Sequence, residues 1–226
     1  MPTGSGPLPP PLPCPPKAGR QSLLLALVGL ALALAITLAA LVYFLRPAQR
    51  IGYSMPTPFI PNPDAPILAT DVYTGADDFV VDVFHNGRRV PDEARLMYSE
   101  VYGATGERVR VTVRVGDWLV FNVANNRLRW DGAHYFGAAG VRPDGSVAFV
   151  SEESPQWSVC EDPGLVPRFI AEPQFLATHA ARRIEKPWAG GDRMIKSKVS
   201  DWSGQAIWGS PTNRNIWIKF RAPEEH

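Results

Sequence analysis

Residues 107–115 read ERVRVTVRV. Val109, Val111, Val113 and Val115 fall on one side of an extended chain, and Arg108, Arg110, Thr112 and Arg114 on the other. Side chains alternate across a strand with period two, so this pattern predicts an antiparallel strand with one face in a core and one in water. Gly116-Asp117 then turns the chain into WLVFNVAN, a second β-rich run that ends at Asn125-Asn126. Upstream, Phe79–His85 (FVVDVFH) is a third strand, closed by Asn86-Gly87, a dipeptide suited to the positive φ angles of a tight hairpin turn. Ala133–Val141, Ser146–Ser151 and Asn215–Phe220 extend the set, and one helix is expected over Glu172–Ile184, where Phe175, Leu176 and His179 share a face. There is no βαβ alternation and no internal repeat. The order predicts a mainly β domain, a β-sandwich, over residues 67–221, with 222–226 as a tail.

The chain before this domain is of another kind. From Ser22 to Leu45 it reads SLLLALVGLALALAITLAALVYFL, without a charge. A helix rises about 1.5 Å per residue, so the run covers the ~30 Å hydrocarbon core of a bilayer. It is too long for the apolar part of a signal peptide and has no polar cleavage region. Lys17 and Arg20 flank one end and Arg46 and Arg50 the other, so basic residues alone do not orient it. Residues 22–46 are read as one transmembrane helix, with 23–45 in the bilayer. The large Trp-rich body is placed outside, periplasmic or extracellular, with the N-terminus in the cytoplasm of a bacterial-type inner membrane. Residues 1–21 open with MPTGSGPLPPPLPCPP, too rich in proline for helix or sheet, and read as a disordered tail. Residues 47–66 form a second proline-punctuated stretch, read as a stalk.

No acidic residue precedes Asp64. Removing Lys17, Arg20, Arg46 and Arg50 from the 23 basic residues leaves 19 against 22 acidic ones, a net of about −3 after position 50. That balance gives no basic footprint for nucleic acid, which is set aside as a partner. Cys14 and Cys160 lie on opposite sides of the apolar run, so they would face different compartments and not pair.

The order of turns within the domain resembles the galactose-binding-like jelly roll and the related PA14 sandwich. The matching residues are Asp77-Asp78, the strand to His85, Asn86-Gly87, Val109–Val115, Gly116-Asp117 and Val120–Asn125. The resemblance covers residues 77–126. It implies a jelly-roll fold and a binding habit, often toward carbohydrate, and it carries no catalytic residue. The C-terminal third has no counterpart in it.

Candidate chemistry is sparse. His85, His134 and His179 are far apart and lack the short spacing of a metal motif. Asp77 and Asp78, with Asp82, offer oxygen ligands for calcium, although an Asp turn capped by its own amides explains them as well. Ser203 and Ser210 sit in no nucleophile elbow, and GATG (103–106) lacks the Lys-Ser/Thr of a phosphate loop. Glu161 and Asp162 follow Cys160 and would raise its pKa, against a thiolate nucleophile. No catalytic residue and no cofactor is assigned.

The tryptophans carry more information. Trp118, Trp130, Trp157, Trp188, Trp202, Trp208 and Trp217 all follow the apolar run. Most are expected in the core, Trp208 and Trp217 among them. Trp130 is the exception, since it stands between Arg127, Arg129 and Asp131-Gly132 in an inter-strand loop. Arg127, Arg129, Trp130 and Asp131 are therefore the candidate contact surface, because Trp and Arg dominate interface hot spots. The sequence reads as a membrane-anchored, non-enzymatic interaction module, an accessory subunit or assembly factor of an envelope complex. A surface carbohydrate-binding module is the second reading, and a hydrolase with an unrecognised site the third.

Overall fold

Val109 and Val113 are fully buried while Arg110 and Thr112 are exposed, so the alternating stretch is a strand with one wet face; Val111 is half-buried against the same core. The structure is a computed structural model that describes residues 60, 62–101, 103–125, 134–175, 179–185, 187 and 189–223. No helix among these residues is long and apolar enough to cross a membrane. The apolar run 22–45 and the Pro-rich tail before it lie outside the described residues, as does the stalk as far as residue 59.

The strands are β1 (Ile67–Ala76), β2 (Phe79–His85), β3 (Arg88–Arg89), β4 (Arg95–Val101), β5 (Ala104–Arg114), β6 (Trp118–Ala124), β7 (Phe136–Val141), β8 (Val147–Val150), β9 (Trp157–Cys160), β10 (His179–Ala180), β11 (Arg182–Arg183), β12 (Ile207–Trp208) and β13 (Asn215–Arg221). Two helices, α1 (Val166–Ala171) and α2 (Ala189–Lys196), lie between β9 and β12. One sheet has the order β4-β5-β1-β7-β8 and the other β10-β9-β13-β6-β2-β3, with β11-β12 as a separate ribbon. Every pairing is antiparallel.

Val72, Val109 and Phe136 of the first sheet share one apolar cluster with Val83, Phe121 and Ile218 of the second. The protein is thus mainly β, with two sheets over a common core, which is consistent with a β-sandwich. Trp157 is fully buried in that core, 4.9 Å ring to ring from Phe220. Truncating such an aromatic typically costs about 3–5 kcal/mol. Arg95 ties the sheets together at one edge: from β4 it pairs with Glu107 and donates to the carbonyls of Val80 and Val81 in β2.

The outer face of each sheet is also covered. Gly75 of β1 pairs in register with Gly137 of β7, and α2 lays Ile195 into the shallow place they leave. A Cβ on Gly137 would sit 2.7 Å from Ile195 Cδ1. On the other sheet, Phe169 of α1 packs over Trp118, Val120 and Cys160.

The hairpin Asn86-Gly87 forms as its sequence predicts, with φ of 51° and 78°. The helix expected over Glu172–Ile184 does not. Helix α1 instead precedes it and ends at Glu172, which is extended (φ −108°, ψ 117°). Pro173 follows, and its ring disfavours helical backbone at the residue before it. His179 is in β10, while Leu176 lies outside the described residues. The last residues of the expected stalk are tied to the domain, Val115 N–H donating to Pro66 O at 3.1 Å and Arg114 Nη1 to Ala65 O at 2.6 Å.

Candidate functional site

Residues 125 and 134, on either side of the loop singled out by sequence, meet where β6 stops. Arg127, Arg129, Trp130 and Asp131 themselves lie outside the described residues, but both ends of their loop are defined. Asn125 N–H donates to Arg214 O at 2.6 Å, and its side-chain Nδ2 lies 2.8 Å from His134 Nδ1. His134 Nε2 is 2.6 Å from Pro211 O. A carbonyl only accepts, so Nε2 carries the hydrogen and the Asn125 amide donates to Nδ1. The residues on either side of 126–133 are therefore clamped together by one hydrogen bond.

Asp77 and Asp78 stand at the same end, since Asp77 N–H donates to Tyr135 O at 3.0 Å. Both are buried, Asp78 has a positive φ of 28°, and its N–H donates to Asp77 Oδ1 at 3.2 Å. This is the turn-capping role of an Asp side chain. Asp82 is paired with Arg89 at 2.6 Å. Among the described residues no group of three or more His, Cys, Asp or Glu is placed to hold a metal ion. Of the three histidines, His85 is bound to Asp117 and His134 has both nitrogens engaged, whereas His179 is exposed.

Beside the clamp opens a cleft of about 450 Å³. Its lining comes from residues within 179–184 and 208–211, two stretches that strand pairing joins at Arg182 and Trp208. The rings of His134 and Trp208 stack at 5.0 Å and 27° beneath it. Trp208 Nε1 donates to Asn213 O, so both rings have spent their polar atoms within the protein. Ala180, Ile184 and Pro211 add apolar walls, and Arg182 and Arg183 stand exposed on the rim. Neither guanidinium has a hydrogen bond or ion pair among the described residues. Two carboxylates serve backbone amides here: Glu153 accepts the Arg183 N–H, and Glu161 accepts the Ser210 N–H, while the exposed Glu185 follows Ile184.

The remaining candidates are structural in their contacts. Trp118, Trp157, Trp202 and Trp208 are buried, and each indole N–H donates to a carbonyl, of Ile170, Val150, Ala138 and Asn213 respectively. Trp217 is half-buried against Phe84, while Trp130 and Trp188 lie outside the described residues. Cys160 is fully buried, and burial pushes its thiol up. Ser210 Oγ is shared with Thr212 Oγ1 at 2.7 Å.

Sequence reading missed one polar residue of consequence. Lys219 is fully buried, its Nζ donating to Glu172 O at 2.8 Å and Phe175 O at 3.2 Å, 4.3 Å from the centre of the Phe169 ring. Burial pushes this amine down to about 7. It satisfies carbonyls at the end of α1 and holds that segment on the sheet.

No protein-family model, curated protein or solved structure matches this chain.

Proposed function

We propose that this chain is a membrane-anchored, non-enzymatic binding module that engages another envelope or membrane protein as an accessory subunit or assembly factor. In this reading residues 23–45 span the bilayer once, the N-terminal tail is cytoplasmic, and a jelly-roll-like domain stands outside on its proline-rich stalk. Alternation of the chain between the two sheets, β1 to β2 and β5 to β6 to β7, supports the jelly-roll reading.

The observation that carries the functional reading is the clamp at the end of β6. Asn125 and His134, which flank the segment bearing Arg127, Arg129, Trp130 and Asp131, are bonded to each other at the edge of an arginine-rimmed cleft. A loop held at both ends by the scaffold presents its side chains at lower entropic cost than a free one. Large aromatics with arginine beside them are the residues that anchor interfaces.

Two measurements test the reading. Engineered cysteines near Ser5 and Asp64 should react differently with an impermeant thiol reagent in intact cells, only the Asp64 site being labelled. Trp130→Ala should weaken association with the protein that co-purifies in mild detergent by ~2 kcal/mol or more, the usual loss for a central interface Trp. Its melting temperature should not move. A melting point lowered by several degrees, with association unchanged in the folded fraction, would show Trp130 to be a lid on the domain.

A further inference from the structure

Among the described residues the first sheet ends in β4, which pairs only with β5 and leaves its other side open. The remaining edge strands are short: β8 has 4 residues and β3 and β10 have 2 each, against 7 in β4. Native sheets keep open edges short or charged, because an unpaired row of N–H and C=O groups accepts another strand. Strand β4 does the reverse. Leu96 and Met97 are 59% and 57% exposed, the largest apolar exposures in any strand among the described residues.

The register with β5 fixes their faces. Arg95, Met97 and Glu100 stand opposite Val109, Glu107 and Thr105, all buried, whereas Leu96 and Ser99 stand opposite Arg108 and Gly106. Residues paired across a ladder share a face of the sheet, so Leu96 and Met97 project to opposite faces. A body resting on either face would cover one of them. A strand laid beside β4 meets both.

The same register makes β4 complementary to itself. In a regular strand positions 95 and 100 would lie on opposite faces, but the irregularity between Met97 and Ser99 brings Arg95 and Glu100 onto one. An antiparallel copy centred between residues 97 and 98 therefore sets Arg95 beside the copy's Glu100 on one face and Leu96 beside the copy's Ser99 on the other. Glu100 is exposed and has no ion pair among the described residues. Arg95 spends four N–H groups on Glu107, Val80 O and Val81 O, and a guanidinium has five. The other charges along this edge are engaged: Arg108 pairs with Asp71, Asp92 with Arg89, and Lys198 lies over the Tyr98 ring. Arg110 donates to Glu93 O, which leaves the Glu93 carboxylate exposed just before the strand.

We infer that β4 binds the β4 strand of a second copy of this chain, antiparallel about a two-fold axis between Met97 and Tyr98, so that the two β4-edged sheets continue into one. The test uses the full chain carrying Cys14→Ser and one added cysteine, treated in intact expressing cells with a short membrane-permeant bismaleimide. Cys160 is buried and adds no background. Met97→Cys should give a cross-linked species of twice the chain's mass. Glu152→Cys, exposed just beyond β8 at the opposite edge of the same sheet, should give far less. Adding Glu100→Lys to Met97→Cys should cut the product about fivefold, the loss expected when a favourable cross-strand pair becomes a like-charge pair. Leu96→Lys, which sets a charge on the open edge, should cut it as well. These side chains are exposed, so the melting temperatures should match the parent's. Absence of the doubled species, an equal yield from Glu152→Cys, or a yield unmoved by both lysines overturns the proposal. So does a Met97→Cys product whose mass contains a different protein in place of the second copy. None of these outcomes touches the Trp130→Ala measurement, which reads the partner and stands or falls separately.

Discussion

Strand β6 joins two ends of the molecule that handle polar groups in opposite ways. At its start, Asp117 is buried and accepts from His85 Nε2 at 2.9 Å, Asn86 Nδ2 at 2.7 Å and the Arg114 N–H at 2.8 Å, while its carbonyl accepts the Ala222 N–H. Asn86 returns a bond to the Trp118 N–H at 3.0 Å. The ends of β2, β5 and β13 are knotted around one carboxylate. At the far end, Asn125 and His134 form a clamp beside an open cleft where Arg182 and Arg183 have no side-chain partner among the described residues. One end closes the fold with its charge spent, and the other leaves charge available. Stability and binding are thus expected to respond to different substitutions.

The largest effect should come from Asp117→Ala. It removes a buried acceptor and strands three donors, and breaking such a network costs about 3–5 kcal/mol. Chemical denaturation of the solubilised chain would measure it, and a loss below ~1 kcal/mol would mean the knot is not what holds this end. Association of the folded fraction with the co-purifying partner should not change, since Asp117 lies at the opposite end of β6 from the cleft.

The same carboxylate gives a pH signature. Burial alone would lift its pKa, but the hydrogen bonds from His85, the Arg114 N–H and Asn86 together outweigh burial and hold it below the usual carboxylate range. A group depressed in the folded state contributes stability above its unfolded pKa, and that contribution is lost as pH falls through the folded value. Unfolding midpoints should therefore drop as the solution is taken below pH ~4. Asp117→Asn should flatten that limb, and an unchanged slope would assign the acid sensitivity to other carboxylates.

His134→Phe probes the open end more gently. The stack on Trp208 survives in kind, while Asn125 and Pro211 O each lose a partner, a cost of about 1–3 kcal/mol for groups left unsatisfied. Binding should suffer along with stability here, unlike at the Asp117 end. If association with the co-purifying partner is untouched, the clamp is architecture only.

What could be read from sequence follows from where alternation survives. Glu107–Val115 shows its buried face plainly, whereas in Phe79–His85 a bulge between Val80 and Asp82 leaves Phe79 and Val81 exposed and Val80 and Val83 buried; the Asn86-Gly87 and Gly116-Asp117 turns fix where each ends. Strand β1 was not read, although Val72 and Ala76 are fully buried, because ILATDVYTGA meets protein on both faces and shows no clean polar side. Helix α2 was hidden because its first turn holds Gly190 and Gly191, poor helix formers, and the helix is kept in place by Gly191 against Tyr135 and Ile195 against Gly75 and Gly137. The site was legible as residue types in a loop, but not as a place. Arg182 and Arg183 meet Trp208 and Ile207 only through a two-residue ribbon that no local pattern marks.

Lys219 was missed for a related reason and supports the smallest expected effect. In NIWIKFR it alternates with buried Ile218 and Phe220, so it reads as a residue on the solvent face. The segment carrying α1 covers that face, and the amine lies between the two ends compared above, buried like Asp117 but without a carboxylate. The folded amine is pushed from its ordinary 10.5 down to about 7, by burial first and then by Arg221. Between those values the unfolded chain binds the additional proton, so stability should rise with pH from about 7 toward 10 and level off below 7. Lys219→Met removes the desolvated charge and also the bonds to Glu172 O and Phe175 O, two opposed terms that should leave stability near neutral pH within ~1 kcal/mol of the parent. The difference between the two proteins should then widen as pH rises, the parent gaining and the variant not. A constant difference across that range would mean that the two carbonyls keep Lys219 charged, and that this midpoint, like the Asp117 end, holds an ion whose charge is spent on the fold.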